Sequence, residues 1–248
     1  MGQRHFRAGR ILGAAAALLL AACAAPAESP APPPPARTLD LSHVVREDMP
    51  IPPGDAPTRL IRGPEGDLAQ LVIGARSGSL VRVAAAPGSA PADVEALSPR
   101  DLVLPAVVID ARDRAQDAPG FALAPADVLA WERDHGPIPA GAAVLLVTGW
   151  DVRWGDPNAY LSLGPDNAPR VPGFSPAAAD LLLNQRRAAA LGLDAPGVSY
   201  APAEGFCLIL ENLTSLEQLP PTGATLVVGA LKLQKARSSP ARVLAIIP

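Results

Sequence analysis

The stretch Asp101-Leu-Val-Leu-Pro-Ala-Val-Val-Ile-Asp110 decides the fold class. It is apolar without alternation from Leu102 to Ile109, and residues 143–148 (AVLLVT) repeat the pattern. A strand with one face in water alternates apolar and polar residues, so a continuous apolar run is a strand covered on both faces. Between the two runs, Ala124-Pro-Ala-Asp127 starts a helix that runs to about Asp134 and stops at Gly136-Pro137. Buried strand, helix and buried strand in succession predict a layered α/β domain.

The same reading extends outward in both directions. Toward the N-terminus, Thr38 to Ser42 opens the domain as a short strand, and residues 50–57 form a Pro/Gly-rich loop. Residues 68–73 and 79–86 are strand candidates, with a turn at Arg76-Ser-Gly78. Toward the C-terminus, Ser175-Pro176 starts a helix reaching Arg187, with Ser as N-cap and Pro at the first helical position. Further strands are expected at 188–193, 208–210, 225–228 and 243–247. Strands outnumber helices and the two alternate irregularly. The expected sheet is therefore mixed and curved, within one domain spanning 38–248.

Bulk properties narrow the functional classes. The chain has 248 residues, 49% hydrophobic and 18% charged, with a formal net charge of -3. About 210 residues follow the leader described below, enough for one domain with a full core. The slight acidity gives no electrostatic footprint for nucleic acid, and no such partner is expected. Only Lys232 and Lys235 among the basic residues are lysines, which reads as a compositional bias alongside the abundant Ala and Pro. Of the two cysteines, Cys23 lies in the leader, so the folded part has no disulfide of its own. Cys207, between Phe206 and Leu208, reads as a buried core thiol.

Arg4, Arg7 and Arg10 precede an apolar stretch from Ile11 to Ala22, too short for a comfortable membrane span. Its proportions are those of a secretory signal over residues 1–22. The end, Leu20-Ala-Ala-Cys23, resembles a bacterial lipobox, which implies cleavage before Cys23 and acylation of that cysteine. Each buried methylene of such a chain contributes roughly 0.8 kcal/mol to membrane attachment. Residues 23–37, lipidated Cys23 followed by AAPAESPAPPPPAR, then read as an extended polyproline-like tether. Ala24 stands where an aspartate would suggest inner-membrane retention. The expected location is the outer membrane, facing the periplasm.

Several stretches, taken in order, resemble the cyclase family of metal-dependent amide hydrolases, which includes bacterial kynurenine formamidases. The first of these are Asp40-Leu-Ser-His43, Pro53-Gly-Asp55, Pro105-Ala-Val-Val-Ile-Asp110, the segment from Trp131 to Gly141 and Leu146-Val-Thr-Gly-Trp150. In the C-terminal half they are Pro172-Gly-Phe-Ser175, Gly192-Leu-Asp194, Ile209-Leu-Glu-Asn-Leu213 with Leu219-Pro220, and the closing Pro240 to Pro248. The resemblance implies a swivelling β/β/α fold and assembly as a homodimer or larger oligomer. It also implies a signature, His-x-Gly-Thr-His-x-Asp-x-Pro-x-x-His or close to it, in which two histidines and the aspartate hold zinc or manganese and a further histidine serves in catalysis. Downstream, another histidine and a glutamate just before an Asn-Leu pair complete the site. The second histidine and the aspartate follow the first by four and six positions, so on a strand all three share one face. The metal would lower the pKa of its bound water and supply hydroxide for attack on the amide carbonyl.

Anchored on Ala86-Pro87, the signature falls on SLVRVAAAPGS at 79–89. Ser79 and Val83 then stand at the two histidine positions, Ala85 at the aspartate and Ser89 at the last histidine. Anchoring on Gly78-Ser79 as the Gly-Thr pair gives a different register, but no histidine lies between His43 and His135 in either case. Of the downstream ligands only Glu211 survives, so no metal cofactor is expected. In the first register the odd positions 79, 81, 83 and 85 face the site, and Arg82 points away from it.

The remaining histidines and tryptophans receive ordinary roles. His43 is expected to cap or hydrogen-bond near the pocket, and His135 to interact with a helix dipole. Trp131 and Trp150 are expected to pack, and Trp154 to pack or line a pocket mouth. Glu211 either braces its turn or, with His43, lines a pocket for a small apolar or aromatic ligand. The sequence thus predicts an envelope lipoprotein whose cyclase-like domain binds or scaffolds without catalysis. The alternative is a metal-dependent hydrolase of amides, N-formyl amides or lactones. A third reading is an envelope protein with a purely structural role.

Overall fold

The computed structural model describes residues 36–89, 93–115, 118–197 and 200–248. The leader, Cys23 and nearly all of the tether lie outside the described residues. The strands are β1 (Arg37–Asp40), β2 (Arg59–Arg62), β3 (Leu68–Val72), β4 (Leu80–Ala85), β5 (Val103–Asp110) and β6 (Ala122–Leu123), then β7 (Ala143–Val147), β8 (Gly173–Phe174), β9 (Ala190–Leu193), β10 (Phe206–Glu211), β11 (Ala224–Ala230) and β12 (Ser238–Ile247). The α-helices are α1 (Pro99–Leu102), α2 (Arg112–Ala115), α3 (Pro125–His135), α4 (Pro157–Leu161) and α5 (Pro176–Asp180). Strand β1 begins one residue inside the expected tether.

The main sheet has the order β1-β12-β11-β5-β7-β9-β10-β4, and β12 pairs with β4 as well. That second pairing closes the sheet on itself, leaving β1 as a strand added outside the ring. Within it β5, β7, β9 and β10 run parallel, and β4, β11 and β12 complete it by antiparallel pairing. The mixed, curved sheet expected from sequence is therefore a closed one.

Closure explains the unbroken apolar runs. Leu104, Ala106, Val108, Leu145 and Val147 point inward and pack with Val81, Val83, Leu208 and Leu210. Their neighbours Val107, Ile109, Val144 and Leu146 point outward, against Val128 and Trp131 of α3 and Leu182 beyond α5. Both faces of these strands are dry, so neither carries a polar alternation.

The helix ends follow their sequence signals. Ser175 Oγ accepts a hydrogen bond from Ala178 N at 3.1 Å with Pro176 at the first position, and Asp127 accepts from Ala124 N at 2.8 Å. The helix expected to reach Arg187 continues from α5 into a π-helical turn at Leu181–Gln185, closed by Arg186 N on Leu181 O at 2.9 Å. Arg186 then makes a double hydrogen bond to Glu132 of α3, at 2.7 and 3.0 Å.

One expected strand sits elsewhere. Residues 68–72 pair with β2, a strand not anticipated from sequence, and form an exposed hairpin separate from the main sheet. Tertiary placement decided this: the hairpin has no layer above it, so its apolar residues Leu68 and Leu71 remain in solvent.

The packed interior gives a test. A Cβ built on Gly192 would lie 2.5 Å from Leu145 Cδ2. Gly192→Ala is expected to cost roughly 1–3 kcal/mol through overpacking. Adding Leu145→Val should recover part of that loss, as read by urea unfolding of each variant.

Candidate active-site cleft

The carboxyl ends of the parallel strands β7, β9 and β10 gather beside the start of β4. Parallel α/β sheets, open or closed, place ligand sites at such ends, and here a cleft of about 360 Å³ opens there. Pro50, Pro52, Pro53, Leu80, Leu161 and Pro169 give it apolar walls, and Arg76, Arg82 and Glu211 are its basic and acidic residues.

Arg82 and Glu211 meet because of strand register. Leu80 lies opposite Glu211, and Arg82 opposite Ile209, in the antiparallel pairing of β4 with β10. Opposed residues share a face, so Arg82 and Glu211 are diagonal neighbours on the face that borders the cleft. Arg82 donates from Nε at 3.1 Å and from Nη2 at 3.0 Å, both to Glu211 Oε1. Gly197 leaves room for the carboxylate on the other side, where a Cβ would stand 2.4 Å from Glu211 Cδ. Arg76 donates to Asp55 Oδ1 at 2.6 Å, and this bond, with the nearby Asp55 and Glu211 charges, raises its pKa.

A buried polar frame fixes the strand ends around this pair. Asp194 accepts from Thr148 N at 2.8 Å, Thr148 Oγ1 at 2.5 Å and Gly149 N at 2.7 Å. Burial pushes Asp194 up to about 6, against the pull of those bonds. Asn212, next to Glu211, donates to Gly78 O at 2.7 Å and accepts from Tyr160 Oη at 3.0 Å. Ser79 Oγ accepts from His43 N at 2.9 Å and donates to Asn212 O at 2.5 Å. Ser79 is thus a strut, with its hydroxyl proton committed to a carbonyl rather than held by a base.

His43 does not join Glu211. It borders a second, largely apolar cavity of about 460 Å³ with Val44, Leu71 and Leu231. Its ring stacks on Trp154 at 4.0 Å and 5°, and its Nε2 is buried without a hydrogen-bond partner. The expected capping role therefore falls to its backbone N–H, while the imidazole serves as a packing surface. Burial, then the Arg46 charge, lowers its pKa to about 4. Trp154 is buried between His43 and the edge of Tyr160, and Trp150 is buried beneath the Arg153 guanidinium. His135 ends α3 with its ring tilted against Trp131 at 4.9 Å. Cys207 is a buried free thiol, pushed up to about 12 by burial.

A sequence model of the cyclase family matches residues 39–200. The chain belongs to the cyclase family. Isatin hydrolase of Roseibium aggregatum is 32% identical over 168 residues, a match covering 62% of this chain and 63% of that relative, just under two thirds of its length. Isatin hydrolase A of Labrenzia aggregata, solved with benzyl benzoate, superposes with a TM-score of 0.74 at 27% identity, over 86% of this chain and 94% of that one. Isatin hydrolase A of Ralstonia solanacearum gives 0.72 at 26%, covering 86% and 92%. A predicted metal-dependent hydrolase of Bacillus stearothermophilus shares the fold with a TM-score of 0.62 at 19% identity, over 86% and 99%.

Set on this cyclase-family fold, the pleat of β4 selects between the two readings of the signature. Val81 and Val83 point into the closed sheet, Ala85 stands on their side of the strand, and Ser89 lies in an exposed turn beyond it. The side bordering the cleft carries Leu80 and Arg82. Anchoring on Gly78-Ser79 therefore fits, and it aligns Arg76 and Leu80 with the first two signature histidines and Arg82 with the aspartate. The expectation that odd positions face the site, with Arg82 turned away, is corrected. A two-residue period tells which residues share a face but not which face meets the cleft. With Arg82 turned toward the cleft, Glu211 faces a guanidinium there.

Two outcomes follow. Arg82→Leu leaves Glu211 unpaired and should cost about 2 kcal/mol, below the roughly 3–5 kcal/mol of fully buried pairs because both groups keep some solvent. Arg82→Leu combined with Glu211→Leu should regain most of the loss in a double-mutant cycle by denaturant unfolding. For His43, the folded pKa lies below the unfolded value of 6.5. The unfolded chain then binds a proton first, so this contribution is intact above about pH 6.5 and is lost as pH falls toward about 4. His43→Phe should flatten the stability curve over that interval.

Proposed function

We propose that this chain is a metal-independent, ligand-binding member of the cyclase family, displayed at the cell envelope through a lipid anchor on Cys23. The observation that carries the reading is the Arg82 guanidinium seated on Glu211, at a position aligned with a metal ligand of the family signature. A guanidinium has no lone pair to give a metal and carries its own positive charge. Leu80 offers no donor atom, and among the described residues no group of three His, Cys, Asp or Glu could hold a metal ion. Zinc sites use three or four such ligands. These residues therefore do not fit zinc or manganese.

What remains is an apolar-walled cleft with an ion pair at its floor. Such a cleft suits a small ligand with an apolar body and a few polar groups. The arginine holds Glu211 in place through its bonds to Oε1, which is a positioning role that the metal would otherwise fill.

A second reading, a metal-dependent hydrolase of amides, N-formyl amides or lactones, draws on the 32% identity to isatin hydrolase and on the retained Glu211. Metal analysis of the purified chain separates the two. The expected result is far less than one zinc or manganese per chain and no turnover of isatin. In contrast, the triple variant Arg76→His, Leu80→His, Arg82→Asp should retain zinc through purification. A full equivalent of metal in the unaltered chain, together with isatin hydrolysis, would sink the first reading.

A further inference from the structure

We infer that the cleft takes a small zwitterion with an apolar side chain, the chemistry of an apolar α-amino acid. The inference rests on the metal-independent binding reading above and gives that site a ligand class. The cleft's volume of about 360 Å³ lies near the lower end of ligand pockets, which run roughly 300–1,000 Å³. That suits one small molecule.

The polar groups around the floor are unequal in what they have left to give. Asn212 and Tyr160 are bonded to one another, and Asn212 also to Gly78 O, so they form walls rather than ligand contacts. The Arg82 bonds to Glu211 converge on Oε1, and among the described residues no donor engages Oε2. Arg76 spends one N–H on Asp55, leaving further donors of a half-exposed guanidinium at the cleft. The site thus offers an anionic acceptor, Glu211 Oε2, and cationic donors on Arg76.

Charge decides what complements them. Arg76 and Arg82 are balanced by Glu211 and by Asp55, which pairs with Arg76 from outside the cleft lining. A ligand of net charge would upset that balance, whereas a zwitterion preserves it. Ammonium on Glu211 and carboxylate on Arg76 form charge-assisted hydrogen bonds, roughly twice as strong as those of a neutral amide. The side chain is then left against Pro50, Pro53, Leu161 and Pro169.

The test is calorimetric titration of the purified full chain with L-phenylalanine, 3-phenylpropionate, which lacks the ammonium, 2-phenylethylamine, which lacks the carboxylate, and neutral 3-phenylpropionamide. Phenylalanine is expected to bind at least tenfold more tightly than each of the others. Arg76→Gln, at a half-exposed position that leaves folding intact, should weaken phenylalanine and 3-phenylpropionate about tenfold and leave phenylethylamine unchanged. Glu211→Gln should weaken phenylalanine and phenylethylamine, with its thermal unfolding recorded alongside. Equal or tighter binding of any single-charge or neutral probe overturns the inference, as does no binding of any probe. Those results leave the metal-independent reading standing, because that reading fails only on metal content and isatin turnover.

Discussion

Strand β4 is paired on both edges, to β10 on one side and β12 on the other, and this double pairing constrains everything around it. It closes the sheet, so each residue of β4 must point either into the ring or out toward the cleft. Val81 and Val83 are taken by the interior, where Leu208 and Leu210 meet them. Leu80 and Arg82 are left to the cleft. A strand with a free edge could slip by one residue, whereas a slip here would drive a guanidinium into a dry core.

The cleft inherits its rigidity from the same arrangement. Asp194 ties the end of β9 to the end of β7 through Thr148 and Gly149, and Asn212 ties the end of β10 to the approach of β4 through Gly78. Ser79 then links both to His43 at the start of the domain. Each of these links is a hydrogen bond between the chain's own groups. They hold the strand ends close enough for Arg82 to reach Glu211 in its observed geometry. The frame presents two arginines, a leucine and a glutamate to the cleft.

Much of the architecture was legible because it depends on local or periodic signals. The apolar runs at 102–109 and 143–148 declared buried strands, Ser175-Pro176 declared a helix start, and Gly136-Pro137 a helix stop. The family resemblance was legible from short motifs in order, and the absence of histidine between 43 and 135 needed no structure at all. The hairpin of β2 and β3 was only half visible, since Arg59-Leu-Ile-Arg62 is too short and too mixed to declare itself. His43 was read as a hydrogen-bonding group, but a ring stacked flat on Trp154 depends on residues more than a hundred positions apart.

The sequence by itself determined the fold class, the domain's family and the inventory of groups available for chemistry, because composition, periodicity and motif order are properties of the chain alone. Only the tertiary structure decided which face of β4 meets the cleft, and hence that Arg82 rather than Val83 stands beside Glu211. Alternation sorts residues into two sets, but the assignment of a set to core or cleft is made by the partner strands that cover it, and those lie far away in sequence.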